Sequence, residues 1–110
     1  MEVLKMYPED LSKTEQYKMM KSSQVQKMKE IKNEAVNVQA WILFTDEDFK
    51  TGELKEVLVI KTDTNMFGTV SETFIRDFKG IVDFFGVVDK IYIGAGKSKG
   101  DREFLICDVV

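Results

Sequence analysis

Apolar residues alternate with other residues over long stretches of the chain, and this pattern predicts β-strands. Residues 35–45 alternate without interruption, and the expected core face carries Val36, Val38, Ala40, Ile42 and Phe44. On this phasing Trp41 lies on the opposite face and points to solvent. Further β-branched and aromatic runs predict strands over residues 54–61, 66–70, 88–95 and 102–109.

A helix is predicted over residues 72–85, where apolar residues recur at spacings of three and four. The apolar face comprises Phe74, Phe78, Ile81, Val82 and Phe85. Thr69 and Glu72, or Ser71 alone, can cap the start of the helix, and Gly86 can end it in left-handed geometry. Gly80 costs roughly 1 kcal/mol relative to alanine in mid-helix, which is tolerable if the helix packs closely at that point.

Residues 12–33 also read as helical, either as one long helix or as two short ones that meet at Ser22–Ser23. Ser12 and Glu15 have capping-box spacing, so their side chains can satisfy free N–H groups at the start. Serine side chains compete with the helical backbone, which makes Ser22–Ser23 a weak point. Beyond it a thin apolar stripe continues at a spacing of three through Val25, Met28 and Ile31.

These elements predict a mostly β, single-domain protein in two parts. Residues 1–33 form a helical extension that packs on residues 34–110, whose element order is β-β-β-α-β-β. Three strands, a connecting helix and a closing hairpin are the element order of the OB-fold, a small five-stranded Greek-key barrel. A three-plus-two antiparallel sheet with a helix on one face would use the same elements.

Composition narrows the classes of function. The chain has 110 residues, 44% of them hydrophobic, which suits one core. It contains no histidine, which excludes Ser-His and Cys-His catalysis and histidine-ligated zinc. Its single cysteine, Cys107, cannot form an internal disulfide and is expected to be a buried, inert thiol, so a reducing compartment such as the cytoplasm fits. No apolar run approaches the roughly 20 residues that span a bilayer, and no secretory signal is visible, so we expect no membrane association.

Charge is unevenly spread around a net value of −3. Residues 1–33 hold seven lysines against five acids, whereas residues 34–110 hold nine bases against fourteen acids. The N-terminal lysines would form either a basic arm along a nucleic acid or a solvated helix face; they include Lys13, Lys18, Lys21, Lys27, Lys29 and Lys32. The acids Asp46, Glu47 and Asp48 lack the spacing of a calcium loop, so we expect no metal and no cofactor.

Aromatic residues on the outer faces of strands are candidates for base stacking. Trp41 and Tyr92 both lie opposite an apolar face, and Phe67 on the short third strand is a third candidate. Exposed rings can stack on unpaired bases because every base has a π-face. The alternative for Trp41 is that it packs under the N-terminal helices as part of the core.

The loop over residues 94–102 is rich in glycine and cationic residues. Glycines allow close approach of the backbone, and Lys97, Lys99 and Arg102 supply charge for phosphates. In OB-folds the loop between the last two strands is one of those that grip oligonucleotides. The spacing of glycine and lysine is not that of a Walker loop. The alternative to phosphate binding is an ordinary flexible hairpin whose charged side chains are solvated.

Three segments of the chain resemble small proteins of phages and mobile elements of Gram-positive bacteria. They are Ser71–Phe78 with Ile81–Phe85, the run Gly94–Cys107 with its Lys-Ser-Lys-Gly and Asp-Arg-Glu-Phe patterns, and Leu11–Met28. Many of these proteins are labelled single-stranded DNA-binding proteins. The resemblance implies non-enzymatic DNA binding during phage or element replication or recombination in a bacterial host cell, and it carries no residue-level motif for DNA contact.

Two functions are therefore expected from different classes. The first is binding of single-stranded DNA, without enzyme activity, by Trp41, Phe67, Tyr92 and the three cations of the loop. The alternative is a small interaction module that binds and modulates a host replication or defence protein, with the methionine-bearing helices as its contact surface. Pairing of copies through an exposed strand edge at Val109–Val110, or through the Met/Ile stripe, would give a homo-oligomer.

Overall fold

A computed structural model describes residues 2–21, 23–100 and 102–110, which form eight strands, two α-helices and a 3-10 turn. In chain order these are β1 (Glu2–Tyr7), α1 (Lys13–Lys21), β2 (Val25–Lys27), the 3-10 turn (Met28–Ile31), β3 (Glu34–Asn37), β4 (Ala40–Glu47), β5 (Leu54–Lys61), β6 (Met66–Thr69), α2 (Glu72–Phe85), β7 (Lys90–Lys97) and β8 (Glu103–Val109). In the described residues, no helix is long and apolar enough to cross a membrane. The expected mostly β fold is confirmed.

The strands form two separate sheets. The larger sheet has the order β1-β4-β5-β6-β2, with β2 parallel to β6 and every other neighbouring pair antiparallel. The smaller sheet has the order β3-β7-β8 and is antiparallel throughout. The two sheets do not close into a barrel, so the expected OB-fold is not confirmed.

The strand expected over residues 35–45 is divided between the two sheets. The backbone N–H of Val38 donates to the carbonyl of Asp89 beside the small sheet, at 2.8 Å. The next N–H, that of Gln39, donates to the carbonyl of Lys61 in the large sheet, also at 2.8 Å. The chain therefore crosses from one sheet to the other at Val38–Gln39.

This crossing divides the core in two. The first core lies between the sheets and α2, and its buried members include Val38, Trp41, Leu43, Leu58, Ile60, Phe67, Phe74, Phe78, Ile91 and Ile93. The second core lies on the other face of the large sheet, which α1 also contacts, and comprises Leu11, Met19, Ala40, Ile42, Phe44 and Val59. The alternating set expected on one face is thus split, and β4 is buried on both of its faces.

The helix α2 has the bounds that the pattern predicts. The Ser71 hydroxyl accepts a hydrogen bond from the N–H of Phe74 at 3.3 Å, which satisfies a free donor in the first turn. At the other end the N–H of Gly86 donates to the carbonyl of Val82 at 2.8 Å, and Gly86 has a φ of 79°. Phe85, expected on the apolar face, is instead exposed, as is its neighbour Phe84.

α2 also explains why β8 pairs with β7 alone among the described strands. The Thr73 hydroxyl donates to the carbonyl of Leu105 at 2.7 Å. The Asp77 carboxylate accepts from the N–H of Cys107 at a longer 3.4 Å. These side chains occupy backbone groups of β8 that a further strand would need, and β6 takes β2 as its parallel neighbour instead.

The first third of the chain is only partly helical. α1 is the one α-helix there within the described residues, and the expected break at Ser22 lies outside them. β1 and β2 are strands of the large sheet, so the expected helical extension is wrong for these segments. The stripe at a spacing of three reflects the 3-10 turn, which has three residues per turn and places Met28 and Ile31 on one side.

Candidate nucleic-acid interface

Two of the three aromatic candidates are core residues. Trp41 is 5% exposed, and its ring lies 5.2 Å from that of Phe78 in a nearly perpendicular, edge-on contact. Phe67 is also 5% exposed and belongs to the same core. The expectation that these two rings face solvent is wrong, because α2 and the small sheet cover the face of the large sheet on which they lie.

The third candidate, Tyr92, lies on the outer face of the small sheet. Its neighbours in β7, Ile91 and Ile93, are buried in the first core, so alternation places Tyr92 on the opposite face. In β8 the inward residues are Leu105 and Cys107. The residues that alternate with these inward ones on the outer face are Tyr92, Gly94 and Gly96 of β7 and Phe104, Ile106 and Asp108 of β8.

Two glycines make room for the side chains of β8 on this face. Gly94 pairs with Ile106, and Gly96 pairs with Phe104. A Cβ on Gly96 would lie 2.8 Å from Cζ of Phe104, and a Cβ on Gly94 would lie 2.9 Å from Cγ1 of Ile106. The same position on Gly94 is 3.2 Å from Cε1 of Tyr92. We call the resulting surface of Tyr92, Phe104 and Ile106 over the two glycines the platform.

The platform presents two aromatic rings to solvent. Phe104 is 36% exposed and Tyr92 is half-buried. The Tyr92 hydroxyl donates a long hydrogen bond, 3.4 Å, to Oδ1 of Asn33. Asn33 has a φ of 67°, a conformation that asparagine tolerates, and its N–H donates to the carbonyl of Ile93 at 2.6 Å. The turn before β3 thus helps to position the tyrosine ring.

Phe104 and Ile106 were missed as candidates, although the sequence carries a signal for them. In the predicted strand, Leu105 and Cys107 alternate with Phe104 and Ile106. Once those two are taken as inward, the period of two places Phe104 and Ile106 outward. The signal was weak because the four residues form an unbroken apolar run.

The three predicted cations lie in and next to the turn that joins β7 to β8, at one end of the platform. Lys97 is the last residue of β7, and Arg102 immediately precedes β8, where Phe104 is the second residue. The N–H of Ser98 donates to the carbonyl of Arg102 at 2.9 Å and closes the hairpin. Lys97, Lys99 and Arg102 are exposed, and none forms an ion pair with another residue that the structure describes.

Lysines from the first third of the chain join this cationic end. Nζ of Lys32 donates to Oε1 of Glu103 at 2.7 Å. This hydrogen bond and the charge of Lys32 hold the pKa of the Glu103 carboxyl below its usual value, and the charges of Lys97 and Lys29 lower it further. Three lysines therefore favour the charged form of Glu103, which alternation along β8 places on the opposite side of the strand from Phe104.

Other groups that sequence analysis considered have structural roles. Burial, followed by the charges of Asp77 and Asp108, raises the pKa of the Cys107 thiol to about 12. The Asp48 carboxylate accepts from the N–H of Lys50 at 2.8 Å, which lowers its pKa, and also pairs with Lys55 at 3.3 Å. Across residues 2–21, 23–100 and 102–110, no three carboxylates or thiols converge in a way that could hold a metal ion.

Comparisons of the chain with protein-family models, with curated proteins and with solved structures found no match. The resemblance to small single-stranded DNA-binding proteins of phages and mobile elements stays a prediction. The surface itself offers two aromatic rings, two glycines and a group of cations.

Proposed function

We propose that this protein binds single-stranded DNA, without enzyme activity, on the outer face of its small sheet. The observation that carries the proposal is the platform itself: Tyr92 and Phe104 lie on the outer face of a hairpin whose turn region carries three exposed cations without an ion-pair partner among the described residues. Bases would stack on the two rings, and phosphates would contact Lys97, Lys99 and Arg102. Each base stacked on an aromatic ring contributes about 1–3 kcal/mol.

The open faces of the rings favour a single strand over a duplex. Phe104 lies level with Gly96, four residues along β7 from Tyr92. A base can stack on Tyr92 or Phe104 only if its face is not covered by neighbouring bases of a duplex. A nucleic acid that stacks on both rings is therefore unpaired at the bases involved.

The strand pairing supports an OB-like interpretation of the surface. The antiparallel pairs β4–β5, β5–β6, β3–β7 and β7–β8, with α2 between β6 and β7, are those of a partly open Greek-key barrel in which β3 and β4 act as one bent strand. The β7–β8 hairpin then corresponds to a loop that grips oligonucleotides in OB-folds. The face that those folds commonly use lies on the second and third strands, and here the second core, with α1 against it, covers that face.

Affinity is expected to be modest and strongly dependent on salt. The chain has a net charge of −3, so attraction to phosphates comes from the local cations rather than from the whole protein. Action in the cytoplasm of a bacterial host, during replication or recombination of a phage or mobile element, is the setting that the resemblance implies.

The direct test is a fluorescence anisotropy titration of labelled oligo(dT), compared with a duplex of equal length, at low and at moderate salt. We expect a preference for the single strand and a loss of about 1–3 kcal/mol in binding for Phe104→Ala. Phe49→Ala is the matched control, because Phe49 is a fully exposed phenylalanine in the loop between β4 and β5, outside the platform. Equal binding of duplex and single strand, or no binding at low salt, would refute the proposal.

A further inference from the structure

A groove between the two sheets continues from the platform. It lies where the edge of β8 faces the ends of β2 and β6, and it has a volume of about 1000 Å³. Because the groove follows the edge of β8, it borders Glu103, Phe104 and Leu105, although their side chains alternate between the two faces of the strand. Phe104 therefore belongs both to the platform and to the groove.

The side of the groove that the large sheet provides is mainly apolar. Val57 of β5 and Val25 of β2 are half-buried there, and Val70, just after β6, is exposed. Gly68 leaves room for Val25, since a Cβ on this glycine would lie 3.1 Å from Cγ1 of the valine. These residues form an apolar surface in the same groove as the ring of Phe104.

Two lysines supply the positive charge of the groove. Lys27 is the last residue of β2, and Lys29 lies in the 3-10 turn. Both are exposed, and neither forms an ion pair with another residue that the structure describes. Glu103, the one acid among the described residues of the groove, is paired with Lys32 at 2.7 Å. Lys29 and Lys97 of the hairpin both lower the pKa of this carboxyl, so the cations of the groove and of the hairpin lie around one point.

The charges at the opposite end of the platform are mixed. Asp108 is exposed and lies level with Tyr92 across the hairpin. Lys90, at the start of β7, follows the exposed Asp89 in the chain. A polyanion on the platform is therefore attracted past Phe104 rather than past Tyr92.

We propose that a DNA strand bound on the platform continues past Phe104 into this groove, an inference that rests on the proposed function. The phosphates of the continuing nucleotides contact Lys27 and Lys29, and their bases lie against Val57 and Val70. A nucleotide suits both parts of the groove, because its base presents an apolar face and its phosphate carries a negative charge. β2 and the 3-10 turn thereby form a second wall of the binding site.

The dependence of binding on DNA length tests this path. Anisotropy titrations of the full chain use oligo(dT) of about 4 and about 12 nucleotides, within the range of roughly 4–16 that one small β-barrel contacts. Wild-type affinity is expected to rise at least about tenfold with length, because each further stacked base adds to binding. In Lys27→Gln/Lys29→Gln, the slope of log K against log salt should become shallower by about 1.4 for the longer DNA, since each phosphate contact of a single strand contributes about 0.7. The slope for the shorter DNA, which the platform alone accommodates, should change by less than half as much.

A second double variant controls for the loss of charge. Lys13→Gln/Lys21→Gln removes the same charge from α1, outside the groove. Equal slopes for the two double variants with the longer DNA overturn the proposal. If Phe104→Ala weakens binding at both lengths while Lys27→Gln/Lys29→Gln alters neither, the platform is the whole site and this proposal alone fails. Absence of binding at both lengths overturns the proposed function as well.

A charge placed on the apolar side of the groove is an independent test. Val70→Glu is expected to weaken binding of the longer DNA at least about threefold, because the new carboxylate repels phosphates. Val87→Glu, after α2, is the matched control, since Val87 is 52% exposed and Val70 is 56% exposed. Both variants should keep the thermal midpoint of wild type, because neither valine is buried. Wild-type binding by Val70→Glu, or equal losses in the two variants, overturns the proposal.

Discussion

The outer faces of the two sheets differ in what covers them. α1 packs against the large sheet, so β4 is buried on both sides and Trp41 lies in one core while Ile42 lies in the other. On the small sheet the inner residues are equally buried, but Phe104 and Asp108 on the outer face remain exposed. The same chemical group, an aromatic ring on a strand, is therefore core in one sheet and surface in the other.

This difference shows what alternation along a strand can establish. A period of two separates the two faces of a strand but does not say which of them meets water. The unbroken apolar run Ala40–Phe44 is typical of a strand buried on both faces. That run was the available signal that Trp41 is a core residue, and it outweighs the alternation on which solvent exposure was predicted.

Of the substitutions that test this difference between the two sheets, Trp41→Ala is expected to have the largest effect, a loss of stability. Removal of a buried indole should lower the free energy of unfolding by about 3–5 kcal/mol, measured by urea denaturation. DNA affinity per folded molecule should not change, because the ring does not reach the surface. Phe49→Ala is the control and should leave stability within about 0.5 kcal/mol of wild type. A Trp41→Ala variant that is as stable as wild type but binds DNA more weakly would contradict the assignment of Trp41 to the core.

An intermediate effect is expected at Tyr92, on the open face. Tyr92→Ala removes the ring and should weaken binding of oligo(dT) by about 1–3 kcal/mol in an anisotropy titration. Tyr92→Phe keeps the ring and loses only the long hydrogen bond to Asn33, so its effect should stay below about 1 kcal/mol. Equal losses in the two variants would show that the hydroxyl, rather than stacking, makes the contact.

The smallest effect is expected for a single cation of the hairpin. Lys99→Gln should weaken binding evenly across DNA sequences and reduce the slope of log K against log salt by about 0.7, the value for one phosphate contact on a single strand. Lys13→Gln, on α1, is the matched control and should leave the slope unchanged. An unchanged slope for Lys99→Gln would place the path of the strand away from the hairpin tip.

Elements governed by near neighbours in the chain were predicted well. The bounds of α2 and β5 agree with the patterns at residues 72–85 and 54–61, because helical periodicity, the Ser71 cap and β-branched runs are local signals. β1 and β2 were missed. β1 pairs with β4, so that Glu2 lies opposite Thr45, and β2 has only three residues. Neither strand has a local pattern strong enough to distinguish it from a helix or a loop.

The candidate site was predicted in part for the same reason. Lys97, Lys99 and Arg102 are exposed as expected, since charged side chains in a hairpin stay in water wherever the hairpin lies. Phe67 and Trp41 are not surface residues, because their exposure depends on elements distant in the chain. The role of Gly96 and Gly94, which leave room for the side chains of Phe104 and Ile106, follows only from the register of β7 and β8.

Local sequence signals are sufficient for the capped helix α2, the β-branched strand β5 and the cationic hairpin, because the residues involved lie within one turn or one strand of each other. Which faces of these elements meet water depends on contacts between distant segments. The bend at Val38–Gln39, the packing of α1 and the hydrogen bonds from α2 to β8 join segments that are far apart in the chain. Burial is a property of what lies opposite a residue in space, so the local signals at Trp41 and Phe104 are decided only by the packing of α2 and the small sheet and by the register of β7 and β8.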